Sequence, residues 1–288
     1  MNHSLYPLVS AKWLAARLDH PELAILDATF FMPQQGRNSF AEYRSAHLPS
    51  ARFFDVDGVA DTQSPLPHML PSQNQFEQAV ASMGIDNDTH VIVYDNNSFM
   101  ASARVWWTFR IFGHDRVSVL DGGLGRWQHH GLPTNREVQK PEPRRFKANF
   151  RPGLVRDIGQ MLETADSIDT QVIDARPFGR FAGTEKEPRP GLRSGHIPGS
   201  FNLPFPELIE PGNSCLKSPA DIENRFQSLG VTLEKPLVTT CGSGVTASIL
   251  ALGLYSIGVC DVAVYDGSWS EWGSRADTPV ARTAESEQ

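Results

Sequence analysis

Short apolar runs, separated by stretches long enough for a helix, recur along this chain of 288 residues. The runs at 24–28, 91–95, 172–175 and 237–241 are rich in aliphatic and β-branched residues and predict buried strands. Stretches such as 247–257 have the length of a helix. Strands that alternate with helices form parallel sheets, because a parallel connection needs a crossover. The pattern therefore predicts an α/β fold with mostly parallel sheets that are flanked by helices on both faces.

This pattern occurs twice. Four residues of the first half return in the same order 145 to 149 residues later: Asp27 with Asp174, His47 with His196, Asp95 with Cys241, and Asp121 with Asp266. A nearly constant spacing indicates two copies of one domain. We predict a first domain at 1–138, a linker at 139–156 that is rich in proline and charge, and a second domain at 157–288. The polar end of the chain, from Thr278, is expected to fray.

Composition and charge exclude several classes of function. The net charge is −7, which argues against binding to nucleic acid or to an anionic membrane surface. The residues at 1–7 do not resemble a signal peptide and no apolar run is long enough to span a membrane, so we predict a cytoplasmic location. The three cysteines are odd in number and form no C-x-x-C pair, which disfavours a disulfide framework and a zinc site.

Cys241 is the candidate nucleophile. It ends an apolar run and is followed by Gly-Ser-Gly-Val-Thr before a predicted helix. Backbone N–H groups in such a loop can stabilise an anion, so the thiol is expected to be largely thiolate at neutral pH. A lone cysteine is more often a small buried hydrophobe, but the strand-end position favours a chemical role here. Cys260, in an apolar run, and Cys215, in a polar loop, are interpreted as bystanders.

The duplication separates residues of the fold from residues of the chemistry. His47 and His196 occur in both copies, so we interpret them as structural turn residues that bond to nearby backbone. The position of the nucleophile differs, because the first copy has Asp95 there. The loop that follows contains the bulky Phe99 and Met100, which are expected to crowd an anion-binding loop. Only the second half is therefore a candidate for cysteine chemistry.

Phosphoryl transfer is an alternative that the sequence disfavours. Cysteine phosphatases also place a cysteine before a loop and a helix, and they bind phosphate with an arginine six residues after the cysteine. Here that position is Ala247, and no lysine or arginine lies between Cys241 and Arg275. The main electrostatic stabiliser of a phosphoryl group is missing, so we reject this reaction.

The chain resembles the tandem rhodanese-domain sulfurtransferases over nearly its whole length. The resemblance rests on the loop at 241–246 and on the segments 179–189, 195–199, 54–57 and 68–71. Thiosulfate-preferring members carry two basic residues in the loop after the cysteine, whereas members that prefer 3-mercaptopyruvate carry Gly-Ser-Gly, as here. A neutral loop disfavours dianionic thiosulfate, because each missing charge-assisted hydrogen bond costs about 1.5–3 kcal/mol.

The resemblance implies a reaction and a set of roles. Sulfur would pass from 3-mercaptopyruvate to a thiol or cyanide through a persulfide on the cysteine, with release of pyruvate and with no metal or organic cofactor. Arg180 and Arg189 would hold the carboxylate and ketone. Ser243 would donate a hydrogen bond or relay a proton, with His68 and Asp57 behind it. The remaining substrate-binding residues that it implies are the loop residues Gly242, Gly244, Val245 and Thr246.

Three alternatives stay open. The two arginines could instead form surface ion pairs with Glu185 and Glu187. A thiosulfate:cyanide sulfurtransferase would share the fold and the persulfide but use a different donor. A non-enzymatic rhodanese-like binding module would need no nucleophile, and the intact cysteine loop argues against it. The expected partners are a small-molecule sulfur donor and thioredoxin or a small thiol as acceptor, with no nucleic acid and no membrane.

Overall fold

The computed structural model describes residues 7–165 and 167–283. Most of the stretch at 1–7, from which we predict that no signal peptide is present, lies outside the described residues, as does the end of the polar tail. No described helix combines the length and the apolar character that a membrane crossing needs.

Two five-stranded sheets form the framework. The strands of the first half are β1 (Leu8–Val9), β2 (Leu23–Asp27), β3 (Arg52–Phe53), β4 (His90–Tyr94) and β5 (Val117–Leu120). Its helices are α1 (Ala11–Ala15), α2 (Ser39–Ser45), α3 (Gln73–Ser82), α4 (Ser102–Ile111) and α5 (Gly123–His129). The strands of the second half are β6 (Val155–Arg156), β7 (Gln171–Asp174), β8 (Phe201–Asn202), β9 (Leu237–Thr240) and β10 (Ala263–Tyr265). Its helices are α6 (Ile158–Ala165), α7 (Phe178–Ala182), α8 (Pro219–Ser228), α9 (Ala247–Ser256) and α10 (Ser268–Trp272).

Both sheets have the same topology. All the strand pairs are parallel, and the order β1-β5-β4-β2-β3 of the first sheet returns as β6-β10-β9-β7-β8 in the second. Each adjacent pair is thus joined through a crossover, as the alternation of strands and helices requires. The predicted α/β fold with two parallel sheets is confirmed.

The central strands are buried at nearly every position because helices cover both faces of each sheet. In β4, Ile92 and Tyr94 pack in one cluster with Trp127 of α5. The alternate residues Val91 and Val93 are also fully buried, and α4 contacts this strand. A strand that is buried on both faces reads as a continuous apolar run rather than an alternating one, which explains the pattern in the sequence.

The chain divides into two compact units that do not follow the two halves of the sequence strictly. The first contains the described residues up to Thr62, together with Leu70–Arg151 and Ile209–Leu216. The second contains Gln63–Met69, Pro152–Leu208 and the described residues from Lys217 onward. His68 therefore belongs to the same unit as the cysteine loop, although it lies in the first half of the sequence.

The stretch at 139–156, which we predicted as a linker, is packed over much of its length. Phe146 is buried against Phe76 of α3, with their ring centroids 5.8 Å apart. The N–H groups of Asn149 and Arg151 donate to carbonyls at the end of α4, each at 2.8 Å. The last two residues form the edge strand β6. Because backbone hydrogen bonds rather than a periodic apolar face hold this segment, its sequence shows no periodicity.

The expectation that the chain frays from Thr278 is wrong for the described part of the tail. Thr278 is buried, and its Oγ1 donates to the carbonyl of Trp272 at 2.6 Å. The backbone of Ala281 exchanges two hydrogen bonds of 2.9 Å with His196. Polar side chains and backbone groups hold this segment, so its polar composition gives no sign of its order.

The structural role of the recurrent histidines is confirmed. Nδ1 of His47 lies 2.7 Å from the carbonyl oxygen of Tyr43, and Nδ1 of His196 lies 2.8 Å from that of Phe181. Each ring also stacks on the aromatic ring of the same partner, with centroids 4.2 and 3.8 Å apart. Both copies thus use the histidine to hold a neighbouring helix to the turn that follows it.

The loop after β4, residues 95–101 and called the Asp95 loop here, binds an anion of its own. The buried Asp95 carboxylate accepts four backbone N–H groups at 2.9–3.2 Å, those of Asn97, Phe99, Ala101 and Ser102. The expectation that Phe99 and Met100 crowd such a loop is wrong. Ser98 and Phe99 adopt left-handed φ angles of +63° and +65°, which let the backbone wrap the carboxylate.

Replacing Asp95 by asparagine should destabilise the first unit. The amide nitrogen would face backbone N–H groups that need an acceptor, and each buried donor left unsatisfied costs about 1–3 kcal/mol. We expect the free energy of unfolding, measured with urea, to fall by about 3 kcal/mol for Asp95→Asn. Asp88→Asn makes the same change on an exposed side chain and is the control. Equal stability of the two variants would contradict this account of the loop.

Candidate active site

Cys241 lies at the junction between β9 and α9. Residues 241–246, called the cysteine loop here, join the strand to the helix, and the cysteine is only 2% exposed. The carbonyl of Cys241 accepts the N–H of Trp269 at 2.9 Å, and the carbonyl of Gly242 accepts the N–H of Ser270 at 2.9 Å and its hydroxyl at 2.6 Å. Two consecutive carbonyls of the loop therefore point toward the start of α10.

The N–H groups of Gly242 and Ser243 are consequently available to an anion. In a trans peptide the carbonyl and the following N–H point in opposite directions, so the N–H groups of Gly242 and Ser243 point away from α10. Among the residues that the structure describes, these two groups and the N–H groups of Val245 and Thr246 have no hydrogen-bond acceptor. Gly244 has a left-handed φ of +75°, which glycine adopts without strain.

Ser268 anchors the backbone of the cysteine. Its buried Oγ accepts the N–H of Cys241 at 3.2 Å and donates to the carbonyl of Tyr265 at 2.8 Å. Its φ of +49° is uncommon for a residue with a side chain. The corresponding residue of the first copy is Gly123, where a Cβ would lie 2.3 Å from the carbonyl oxygen of Asp95. The second copy thus holds a strained residue at this position, and strain of this kind is concentrated at functional sites.

An ion-pair network lies behind α10. Arg176 is 1% exposed and donates to both carboxylate oxygens of Asp174 at 2.6–3.1 Å and to Glu187 at 2.7 Å. Burial by itself would lower the pKa of the Arg176 guanidinium, but the two carboxylates outweigh burial and raise it. The guanidinium carbon also lies 4.1 Å from the ring centre of Trp269, and the backbone N–H of Trp269 donates to the carbonyl of Cys241.

The two arginines that the resemblance singled out meet at the cysteine loop. A Cβ on Gly242 would lie 3.1 Å from Nη2 of Arg180 and 3.7 Å from Nη1 of Arg189. Glycine at this position therefore leaves room for both guanidinium groups. Arg180 also pairs with Glu187, whose carboxylate oxygens lie 2.5–3.2 Å from its Nε and Nη2. The alternative of an ion pair with Glu187 is thus found for Arg180. The pair is not a surface one, however, because the side chain of Glu187 is only 2% exposed.

The other predicted residues lie in different settings. Ser243 is buried within the cysteine loop. His68 is half-buried and has a left-handed φ of +61°, which is uncommon for histidine. Asp57 is an exposed residue of the first unit, where its N–H donates to Oδ1 of Asp55 at 3.2 Å. The catalytic roles of His68 and Asp57 stay predictions.

The two remaining cysteines are not placed like Cys241. Cys260 is exposed near the end of α9. Cys215 is half-buried, and burial together with the charge of Asp121 raises the pKa of its thiol to about 11. A thiol with such a pKa is almost wholly protonated at neutral pH, so Cys215 is a poor nucleophile.

Arg176 and Ser268 are the residues of the site that sequence reasoning missed. A comparison of the two copies could have found Arg176, because Thr29 occupies the corresponding position after Asp27. Without an arginine there, burial raises the pKa of the Asp27 carboxyl. Oγ1 of Thr29 also lacks a hydrogen-bond partner among the described residues. A buried arginine at this position is thus a feature of the second copy alone, as is the cysteine at the strand end.

Replacing Ser268 by alanine should weaken the junction that holds the cysteine. The N–H of Cys241 would lose its acceptor in a buried setting, which costs about 1–3 kcal/mol. We expect the free energy of unfolding of Ser268→Ala, measured with urea, to fall by about 2 kcal/mol. Ser274→Ala removes an exposed hydroxyl bound to the carbonyl of Glu271 and is the control. A Ser268→Ala protein as stable as the control would show that this hydroxyl does not support the loop.

Comparison with known proteins agrees with this architecture. The model of the rhodanese-like domain matches residues 10–130 and 156–275. The 3-mercaptopyruvate sulfurtransferase of Escherichia coli is 44% identical, over 94% of this chain and 96% of its own. The thiosulfate sulfurtransferase of Rattus norvegicus is 47% identical, over 93% and 92%. The crystal structure of SseA from Escherichia coli, a 3-mercaptopyruvate sulfotransferase, has a TM-score of 0.84 at 39% identity, over 91% and 98%. The chain belongs to the family of proteins built from rhodanese-like domains.

Proposed function

We propose that this protein is a 3-mercaptopyruvate sulfurtransferase, which moves sulfur to a thiol or cyanide through a persulfide on Cys241. The observation that carries the proposal is a neutral cysteine loop with available N–H groups, approached by two guanidinium groups at Gly242. The loop suits a sulfur anion, and the arginines suit a carboxylate on the same substrate. The relatives that bear this name support the same activity.

In the first half-reaction the Cys241 thiolate attacks the sulfur of 3-mercaptopyruvate. A sulfur–sulfur bond forms and the carbon–sulfur bond breaks, with its electron pair passing to the carbon. The leaving group is the enolate of pyruvate, which takes up one proton to give pyruvate. The enzyme keeps the sulfur as a persulfide. No electron donor or acceptor beyond the substrate is needed, and the expected absence of a cofactor stays a prediction.

The backbone of the cysteine loop stabilises negative charge on the two sulfurs. The Asp95 loop supports this role, because a loop at the same place in the fold holds a carboxylate through four N–H groups. In the cysteine loop the corresponding N–H groups would face the thiolate and the persulfide that it becomes. Donors fixed before the reaction stabilise developing charge without reorganisation, which is where most of their catalytic value lies.

Arg180 and Arg189 would bind the carboxylate and ketone of the donor. In 3-mercaptopyruvate these groups are separated from the sulfur by a methylene carbon, so the cations lie beside the loop rather than within it. Holding the far end of the donor keeps its sulfur in line with the thiolate. Ser243, with His68 behind it, would supply the proton that the enolate takes up. The part of Asp57 in this transfer stays a prediction from the resemblance.

In the second half-reaction an acceptor thiolate attacks the outer sulfur. The sulfur–sulfur bond breaks, the acceptor leaves as a persulfide and the Cys241 thiolate is restored. Thioredoxin or a small thiol would fill this role.

The cytoplasmic location also stays a prediction from the sequence.

Thiosulfate is the second candidate donor, favoured by the 47% identity to the thiosulfate sulfurtransferase of rat. Overall identity does not separate the two activities, because relatives of both names are equally similar to this chain. The neutral cysteine loop favours 3-mercaptopyruvate, since thiosulfate brings two negative charges close to the attacked sulfur. Values of kcat/KM for both donors, measured with one acceptor, decide between them, and a higher value for thiosulfate would reverse the assignment.

Cys241 should carry the transferred sulfur. After incubation with 3-mercaptopyruvate and no acceptor, we expect intact-protein mass spectrometry to show one added sulfur in the wild type and none in Cys241→Ser. Cys260→Ser is the control, because it removes an exposed thiol and should gain sulfur as the wild type does. Loading of Cys241→Ser at the wild-type rate would mean that another residue is the nucleophile.

The two half-reactions should respond differently to a change at Arg189. Lysine keeps the positive charge but loses the planar fork that suits a carboxylate. We expect Arg189→Lys to raise the KM for 3-mercaptopyruvate about tenfold, a difference of about 1.4 kcal/mol. Once the persulfide has formed, its removal by a thiol should proceed at the wild-type rate. Arg275→Lys, at a surface ion pair with Asp277, is the control, and a KM unchanged in both variants would remove Arg189 from the binding site.

A further inference from the structure

Glu187 is a buried carboxylate between two guanidinium groups. Its side chain is 2% exposed, with Oε1 2.7 Å from Nη1 of Arg176 and Oε2 2.5 Å from Nη2 of Arg180. We propose that Glu187 determines donor specificity, by neutralising the charge that Arg180 presents to the cysteine loop so that a monoanionic donor is preferred over a dianionic one. This inference rests on the proposed function, because it concerns the choice between two sulfur donors.

Glu187 holds a larger share of the hydrogen bonds of Arg180 than of those of Arg176. Arg176 also donates to Asp174 through Nε and Nη2 and to the carbonyl of Gly195 at 2.8 Å. For Arg180, Glu187 is the single carboxylate partner among the described residues. Arg176 would therefore stay held without Glu187, whereas Arg180 would lose both its counter-charge and its orientation.

The geometry also restricts how Arg180 can meet a substrate. The edge of the guanidinium formed by Nε and Nη2 is occupied by the carboxylate of Glu187. The Nη2 atom nevertheless lies 3.1 Å from the Cβ position of Gly242. Arg180 can thus present only Nη1 and the second hydrogen of Nη2 to a bound anion. Glu187 fixes the direction of these donors, because the bidentate contact prevents the guanidinium from turning.

The balance of charge follows from the same contacts. Asp174, Arg176, Glu187 and Arg180 form a connected network of two carboxylates and two guanidinium groups, with a formal charge of zero. Removal of the Glu187 charge would leave one uncompensated positive charge beside the loop. A dianion gains about twice as much from that charge as a monoanion, because the Coulomb energy is proportional to the charge of the donor. Glu187 and the absence of basic residues in the cysteine loop therefore act in the same direction.

The test compares kcat/KM for 3-mercaptopyruvate and thiosulfate in Glu187→Gln. Glutamine keeps the size of the side chain and removes its charge. We expect the ratio of the two values to shift toward thiosulfate by about tenfold, as for a difference of one partly screened charge near the donor. Glu185→Gln removes the same charge from an exposed side chain two residues earlier, and its ratio should equal that of the wild type.

Glu187→Asp separates charge from orientation. The shorter side chain keeps the carboxylate near Arg180 but cannot contact both guanidinium groups. We expect kcat/KM to fall for both donors by a similar factor, about three- to tenfold, with the ratio unchanged. Because Glu187→Asp keeps the charge, a shift of its ratio toward thiosulfate would overturn the inference. This outcome decides even where Glu187→Gln does not fold, as judged by urea unfolding.

The other outcomes of this test show whether the inference about Glu187 fails alone or together with the proposed function. The ratio of kcat/KM for the two donors would be unchanged in Glu187→Gln if Glu187 only supports the structure, whether the two values fall equally or not at all. Either result, in a protein whose wild type loads sulfur from 3-mercaptopyruvate, overturns this inference and leaves the proposed function intact. A wild type that loads no sulfur from either donor overturns the proposed function and this inference with it.

Discussion

The hydrogen bonds between the cysteine loop and the start of α10 are the constraint on which the candidate site depends. They take up the carbonyls of Cys241 and Gly242, and the planarity of the peptide bond then fixes the direction of the next two N–H groups. An anion site made this way needs no charged side chain within the loop. It needs a second element that donates to the carbonyls, and α10 provides it through the N–H groups of Trp269 and Ser270. The hydroxyl of Ser268 holds the same junction by accepting the N–H of Cys241. The cysteine loop and α10 are distant in sequence, so the candidate site depends on two separate segments of the chain.

The two copies of the domain show what separates a structural loop from a reactive one. In both copies a backbone N–H from the segment after the last strand donates to the carbonyl of the residue that ends the central strand. The N–H of Leu124 donates to Asp95 in the first copy, and the N–H of Trp269 donates to Cys241 in the second. In the first copy the carboxyl group of Asp95 fills the loop and accepts its N–H groups. In the second copy the thiol leaves the N–H groups of Gly242 and Ser243 without an acceptor among the described residues. The side chain at the strand end is thus one of several differences between the copies, together with the sequence of the loop and the residue at Ser268.

Much of the fold was predictable, because burial on both faces of a parallel sheet leaves a strong pattern of apolar runs and the duplication repeats it. The position of Cys241 at a strand end before a helix was also predictable, since a strand end followed by small residues is a local feature. The rest depends on contacts between distant positions. Ser268 holds an N–H 27 residues earlier, and the segments Gln63–Met69 and Ile209–Leu216 each belong with the other half of the sequence. The anion held by the Asp95 loop was missed because left-handed φ angles at Ser98 and Phe99 have no clear signal in those residue types.

Donor choice illustrates why similarity of the whole chain is a weak guide to substrate. The step at sulfur is the same for both donors, so the strand, the cysteine and the loop N–H groups are needed in either case. The donors differ in where their negative charge lies, close to the attacked sulfur in thiosulfate and on a carboxylate farther away in 3-mercaptopyruvate. Selection therefore requires few cations within the loop and directed ones beside it. Glu187 meets both conditions together, because the same carboxylate that orients Arg180 also offsets its positive charge.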